Sequence, residues 1–162
     1  MGLQLPGELV GVLNMIGINW PEADEEKLFR MGQTWLAFAD NLREIANDAE
    51  EAAKRVWTGN EGPAVEAFTA MWREHGGTKN LDIAANAGLA FGLGLFVYAA
   101  IVLVLKINAI IQLVFLAIAI AQAIAMAAAT FGASLLQIPI VRQIVKEIIQ
   151  YLIETAIWQI IG

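Results

Sequence analysis

The sequence predicts an all-α protein. Three observations carry that expectation. Apolar residues recur at alternating steps of three and four over long stretches, proline is confined to four positions, and Gly17, Gly59, Gly62, Gly76 and Gly77 fall where the periodic stretches stop. The order expected is a short N-terminal helix, a helical hairpin, one or two long apolar helices and a C-terminal amphipathic helix.

Pro6 suits the start of a first helix through Leu9, Val10, Leu13 and Ile16, which Gly17, Asn19 and Pro21 end. From Pro21 to Val56 the apolar positions Leu28, Met31, Trp35, Phe38, Leu42, Ile45, Ala49, Ala52 and Val56 form an unbroken heptad stripe. Acids gather in its first turns and bases near its end, which suits the helix dipole. An amphipathic helix of this length cannot hide such a seam by itself, so it is expected to pair with another helix of this chain or of a partner.

The stretch Trp57-Thr58-Gly59-Asn60-Glu61-Gly62-Pro63 is expected to turn the chain, its glycines admitting positive φ and Pro63 opening the next helix. That helix presents Val65, Phe68, Met71 or Trp72, and His75, before Gly76-Gly77. A third segment, capped by Thr78 or Asn80, runs on with few polar residues to Gly132. Pro139 is expected to break the chain ahead of a last helix whose polar stripe holds Arg142, Gln143, Lys146, Glu147, Gln150 and Glu154. Residues 1–77 are thus expected to hold the first helix and the hairpin, and residues 78–162 the long apolar region, the two continuous as one elongated bundle.

Composition narrows the function. Apolar residues make up 58% of the chain and mean hydropathy is +0.60, above the roughly 45 to 50% apolar usage of soluble domains. Helical surface of this kind calls for a membrane or protein partners. Residues 1–82 carry 14 acidic and 7 basic side chains, whereas 83–162 carry 2 and 3, with Lys106, Arg142 and Lys146 as their cations. Such a balance disfavours nucleic acid. Charge-free windows at 83–105 and 107–141 each exceed the roughly 20 residues that span a bilayer as helix. No charged n-region of a signal peptide precedes Lys27, so export would use another route.

No catalytic, cofactor or metal site is expected. The chain has no cysteine and a single histidine, His75, which is better read as a cation at a helix C-terminus than as a ligand. Glu25, Glu26, Glu50 and Glu51 adjoin the solvent face of the long helix, where nothing in the sequence would perturb them. Gly88-x-x-x-Gly92-x-Gly94 follows no strand and is no phosphate loop; Gly88 and Gly92 instead suit close helix packing. The alanine-rich run from Leu116 to Ala129, with Gln112, Gln122 and Gln137, fits either amides facing a partner or wet lumen, or a slender helix in a soluble bundle.

The Trp57-Thr58-Gly59 tripeptide between two helices resembles the WXG-motif (ESAT-like) family of type VII secretion substrates. More of the chain resembles one branch, the N-terminal domains of actinobacterial polymorphic toxins, among them a mycobacterial channel protein with a C-terminal necrotizing toxin. That wider resemblance rests on Asn19-Trp20-Pro21, on Trp57-Thr58-Gly59, and on Ala129-Thr130-Phe131-Gly132-Ala133-Ser134 running into Ile138-Pro139.

The resemblance implies a non-enzymatic domain that targets a toxin for type VII secretion and pairs with small WXG-type helical-hairpin proteins. It implies Trp57 and Gly59 as part of an export signal completed by a Tyr-x-x-x-acidic motif. Val102 follows Tyr98 by four residues and Thr155 follows Tyr151, so a partner is expected to supply that motif. The chain's end at Gly162 is read as falling before an effector. The alternative implied function is a membrane-inserting or pore-forming domain that delivers the toxin, so that secretion, the cell surface and membrane contact are all expected locations.

Overall fold

The computed structural model describes residues 2–162. Among them are five α-helices and no strand: α1 (Gly7–Ile16), α2 (Glu25–Gly59), α3 (Pro63–His75), α4 (Gly77–Ala125) and α5 (Gln137–Ile161), with one 3-10 turn at Ala133–Leu136. The protein is all-α, a helical hairpin extended by long helices, as the periodicity predicts. The chain divides into two compact units, Leu28–Phe96 and the pair of segments Met1–Lys27 and Val97–Gly162.

In the unit Leu28–Phe96, α2 forms one arm of the hairpin, while α3 and the start of α4 form the other. The arms run antiparallel. Residue numbers fall on one arm as they rise on the other: Trp72 Nε1 donates to Glu50 Oε2 at 2.8 Å, Arg43 donates to Asn86 Oδ1 at 3.2 Å, and Phe29 meets Phe96 with ring centroids 4.8 Å apart. The buried line on α2 is Gly32, Ala39, Ala46 and Ala53, one small residue every seventh position. Ala85, Gly88 and Gly92 are its buried counterparts on α4. Small side chains at the seam let the two backbones approach closely. A Cβ at Gly32 would lie 2.9 Å from the Gly92 carbonyl oxygen, and one at Gly92 would lie 3.0 Å from that of Gly32.

In the other unit, Leu9, Leu13 and Ile16 of α1 pack with Leu113 and Leu116 of α4 and Val145 and Ile149 of α5. Burying such aliphatic side chains contributes about 1.5 to 3 kcal/mol each. Pro6 precedes α1 and Gly17, in the left-handed region, ends it. The first turn of α2 also belongs here. It begins at Glu25 rather than Pro21 because Asp24 accepts a hydrogen bond from the Lys27 N–H at 2.9 Å and so caps the helix.

Four further boundaries differ from the sequence reading, the first at Gly77, where α4 begins, so that Thr78 and Asn80 lie within the helix instead of capping it. Helix α2 runs through Trp57-Thr58-Gly59, so the tripeptide forms the last turn of the helix and the reversal is confined to residues 60–62. Helix α4 stops at Ala125, seven residues before Gly132, in a run of turns that leads to the 3-10 segment. Pro139 lies inside the first turn of α5 rather than ahead of it. A proline there deprives the helix of no hydrogen bond, since the first four N–H groups have no partner within the helix.

Candidate functional site

The outer face of α2 is where structure and hydropathy part company. The hairpin closes on the small-residue line, and the predicted seam lies beside it. Leu28, Leu42 and Ala49 are half-buried, while Met31, Trp35, Phe38, Ile45, Ala52 and Val56 are exposed. Ile45 keeps 54% of its surface and Phe38 46%. At one end these side chains form an aromatic patch: Trp35 meets Phe38 edge-on at 5.7 Å and Phe91 of α4 at 4.9 Å. Phe91 is itself exposed, at 53%. An amphipathic face crowned by rigid aromatic rings is the usual composition of an energetically dominant interface centre.

At the other end of the hairpin the Trp57 ring meets Phe68 at 6.2 Å, and Phe68 meets Trp72 at 5.9 Å. The stack ties α3 to the last turns of α2, and Glu50 holds it by accepting from the Trp72 indole. Beside it opens a groove of about 620 Å³ lined by Trp57, Gly62, Val65, Thr69 and Arg73, among others. Gly62 makes the reversal, with φ 119, and Pro63 begins α3. Gly59 does not. It is helical, and a Cβ built there would meet nothing within 4 Å. Neither backbone conformation nor crowding therefore requires glycine at position 59.

Gly92 sits at the close helix crossing, where an added Cβ would strike the Leu36 side chain, whereas Gly88 has ordinary clearance of 3.5 Å to Phe38 and 3.7 Å to Ala39. Gly32, the partner of Gly92, is absent from the sequence reading. His75 is the exposed last residue of α3.

A second omission is electrostatic. Glu25, read from the sequence as a solvated carboxylate, is buried. Lys106, with 2% of its surface exposed, donates to Glu25 Oε2 at 2.8 Å and to the Ala23 carbonyl at 2.6 Å. Burial pushes the Glu25 carboxyl up. Hydrogen bonds from the Leu3 N–H and from Lys106, its own backbone N–H and the lysine's charge outweigh that and leave it below the ordinary carboxylate value. Glu50 likewise serves Trp72 and Lys54 rather than standing alone in solvent. Trp20 packs on the core of the same unit as Glu25, its indole N–H buried without an acceptor among the described residues.

No curated protein and no solved structure matches the chain. A family model described as a WXG100-like domain matches residues 5–148. That span takes in α1, the whole hairpin with its Trp-x-Gly turn, α4 and the first half of α5. On that match the chain belongs to the WXG100-like domain family, a helical family tied to type VII secretion.

Proposed function

We propose that this chain is the secretion-targeting, partner-binding domain of a type VII secreted polymorphic toxin. It carries no catalytic step of its own. The outer face of α2 receives a small WXG-type helical-hairpin protein, and the Trp57–Gly59 turn forms part of the export signal. The observation that carries the reading is the exposed set Met31, Trp35, Phe38, Ile45 and Val56 with its Trp35, Phe38 and Phe91 patch, left open while the hairpin closes on the neighbouring small-residue line. Helical partners of matched periodicity cover such a face by laying apolar anchors along it.

The turn supports the export half of the reading. Glycine at 59 meets no local steric demand, so its place three residues before Gly62 fits recognition by another protein. The test is secretion of the full chain from a type VII-competent host. Trp57→Ala and Gly59→Ala should each abolish export while the purified variants keep wild-type helicity and partner binding. Export of both variants at the wild-type level would overturn that half.

A second reading, delivery of the toxin through membrane contact, is favoured by one observation. The helical run Pro63–Ala125 holds a window long and apolar enough to cross a bilayer, and Phe91, Val97, Val104, Phe115 and Ile124 along it are exposed. Dye release from liposomes by the isolated chain would support a pore, and a soluble stoichiometric complex without leakage would support targeting alone.

A further inference from the structure

We propose that the turn between α4 and α5, residues 126–136, is a lipid-contacting tip that seats in the headgroup and upper acyl layer of a bilayer and goes no deeper. The inference rests on the membrane-contact reading above and gives it a place and a depth.

No Asp, Glu, Lys or Arg occurs from Ile107 to Val141. At the turn the apolar side chains point outward: Met126, Leu135 and Leu136 are exposed, Phe131 is 100% exposed, and Ile140 in the first turn of α5 is exposed as well. Phe131 is also the one described non-glycine residue at positive φ, 50°. That conformation is sterically costly for a bulky residue, and the fold gains no burial of the ring in return. A wholly exposed aromatic held in a strained turn is explained by what lies outside the protein.

The polar groups of the turn make the second observation. Backbone hydrogen bonds run from Met126 to Gln122, Ala127 to Ile124, Thr130 to Met126, Gly132 to Ala127, Ala133 to Thr130 and Leu135 to Gly132, at 2.8 to 3.1 Å. Thr130 Oγ1 donates to the Met126 carbonyl at 2.9 Å and accepts from the Ser134 N–H at 3.2 Å, while Ser134 Oγ donates to the Ala123 carbonyl at 2.7 Å. An ordinary loop leaves such groups to water. Here the N–H groups of Met126, Ala127, Thr130, Gly132, Ala133, Ser134 and Leu135 are closed internally with apolar side chains outside, which lowers the cost of bringing the turn into the headgroup region.

The nearest charges set the depth. Arg142 and Lys146 are the first on α5, and Arg142 lies about 8 Å along the axis from the helix start at 1.5 Å per residue. Helix α4 could enter further, with 19 charge-free residues from Ile107 to Ala125 or about 28 Å. The two helices share a core through Leu113, Leu116, Val145 and Ile149, so the shallower arm governs both. The insertion expected is interfacial, about 5 to 10 Å, with Arg142 and Lys146 at the level of lipid phosphates.

The cysteine-free chain permits a direct test. Full-length F131C, L136C, I111C and V104C, each with an environment-sensitive dye, are mixed with vesicles of phosphatidylcholine and phosphatidylglycerol carrying quenchers at two depths. The tip account predicts a blue shift and shallow quenching at positions 131 and 136, none at 104 and 111, and partitioning lowered about tenfold or more by Phe131→Asp. Dyes at 104 and 111 burying while 131 stays aqueous would overturn the tip and spare membrane contact, and mid-bilayer quenching at all four positions would overturn the shallow depth. No vesicle binding by any variant would remove the membrane reading itself. A shift at 131 that requires an added protein instead of lipid would make the tip a protein interface and also overturn the proposal.

Discussion

Replacing Glu25 with leucine should be among the most damaging single changes in the chain. Lys106 is 2% exposed and the Glu25 side chain 9%, and the ammonium has the carboxylate and the Ala23 carbonyl as acceptors. Glu25→Leu leaves that cation buried with one neutral acceptor, and orphaning one partner of a buried pair costs about 3 to 5 kcal/mol. For a chain of this size each kcal/mol lowers Tm by about 2 to 4 °C, so the expected fall is about 6 to 20 °C. Glu25→Leu combined with Lys106→Met should recover most of the loss, because the penalty is an unpaired charge and two apolar side chains of similar length remove it. Circular dichroism melts of the four proteins complete the double-mutant cycle. A Glu25→Leu loss below about 1 kcal/mol, or a double variant no better than the sum of the singles, would refute this reasoning.

The same pair sets a pH dependence. The folded-state value of Glu25 lies below its ordinary 4.5, so its stabilisation is fully present above about pH 4.5 and is lost as pH falls through the lower folded value. Melts from pH 7 to 3 should show that loss in the wild type and little of it in the double variant. At the helix crossing, Gly92→Ala should cost about 1 to 3 kcal/mol, because its Cβ meets backbone at 3.0 Å, while Gly88→Ala should be neutral or stabilising by up to about 1 kcal/mol. In the turn, Gly62→Ala should cost about 1 to 3 kcal/mol for its φ of 119, and Gly59→Ala should cost nothing measurable in urea.

Periodicity made the helices legible and left their inner surfaces hidden. The large side chains of α2 dominate any hydropathy pattern, so Met31, Trp35, Phe38 and Ile45 stand out, although the hairpin closes on Gly32, Ala39, Ala46 and Ala53 one position away. Small residues recurring every seventh position were the signal for that line, and alanine and glycine carry too little hydropathy to announce it. Glu25 looked solvated because its partner, Lys106, is 81 residues distant and no local rule connects them. Pro139 misled because proline at a helix start and proline after a helix end leave the same mark in a sequence. The Trp-x-Gly turn was legible as a motif. Its geometry was not, since only the backbone distinguishes the glycine that bends the chain, Gly62, from the one that does not, Gly59.

The outer face of α2 is the center of the functional account, and solution mass on co-expression tests it most directly. The chain is co-expressed with a WXG-type hairpin protein and its mass measured by light scattering, for wild type, Trp35→Ala with Phe38→Ala, and an Asp40→Ala control on the same helix. The account predicts a stoichiometric complex for wild type and control, and a loss of about 2 kcal/mol or more, some thirtyfold in affinity, for the aromatic double variant. A wild-type chain that stays a stable monomer beside such a protein, or a complex indifferent to losing both rings, would contradict it.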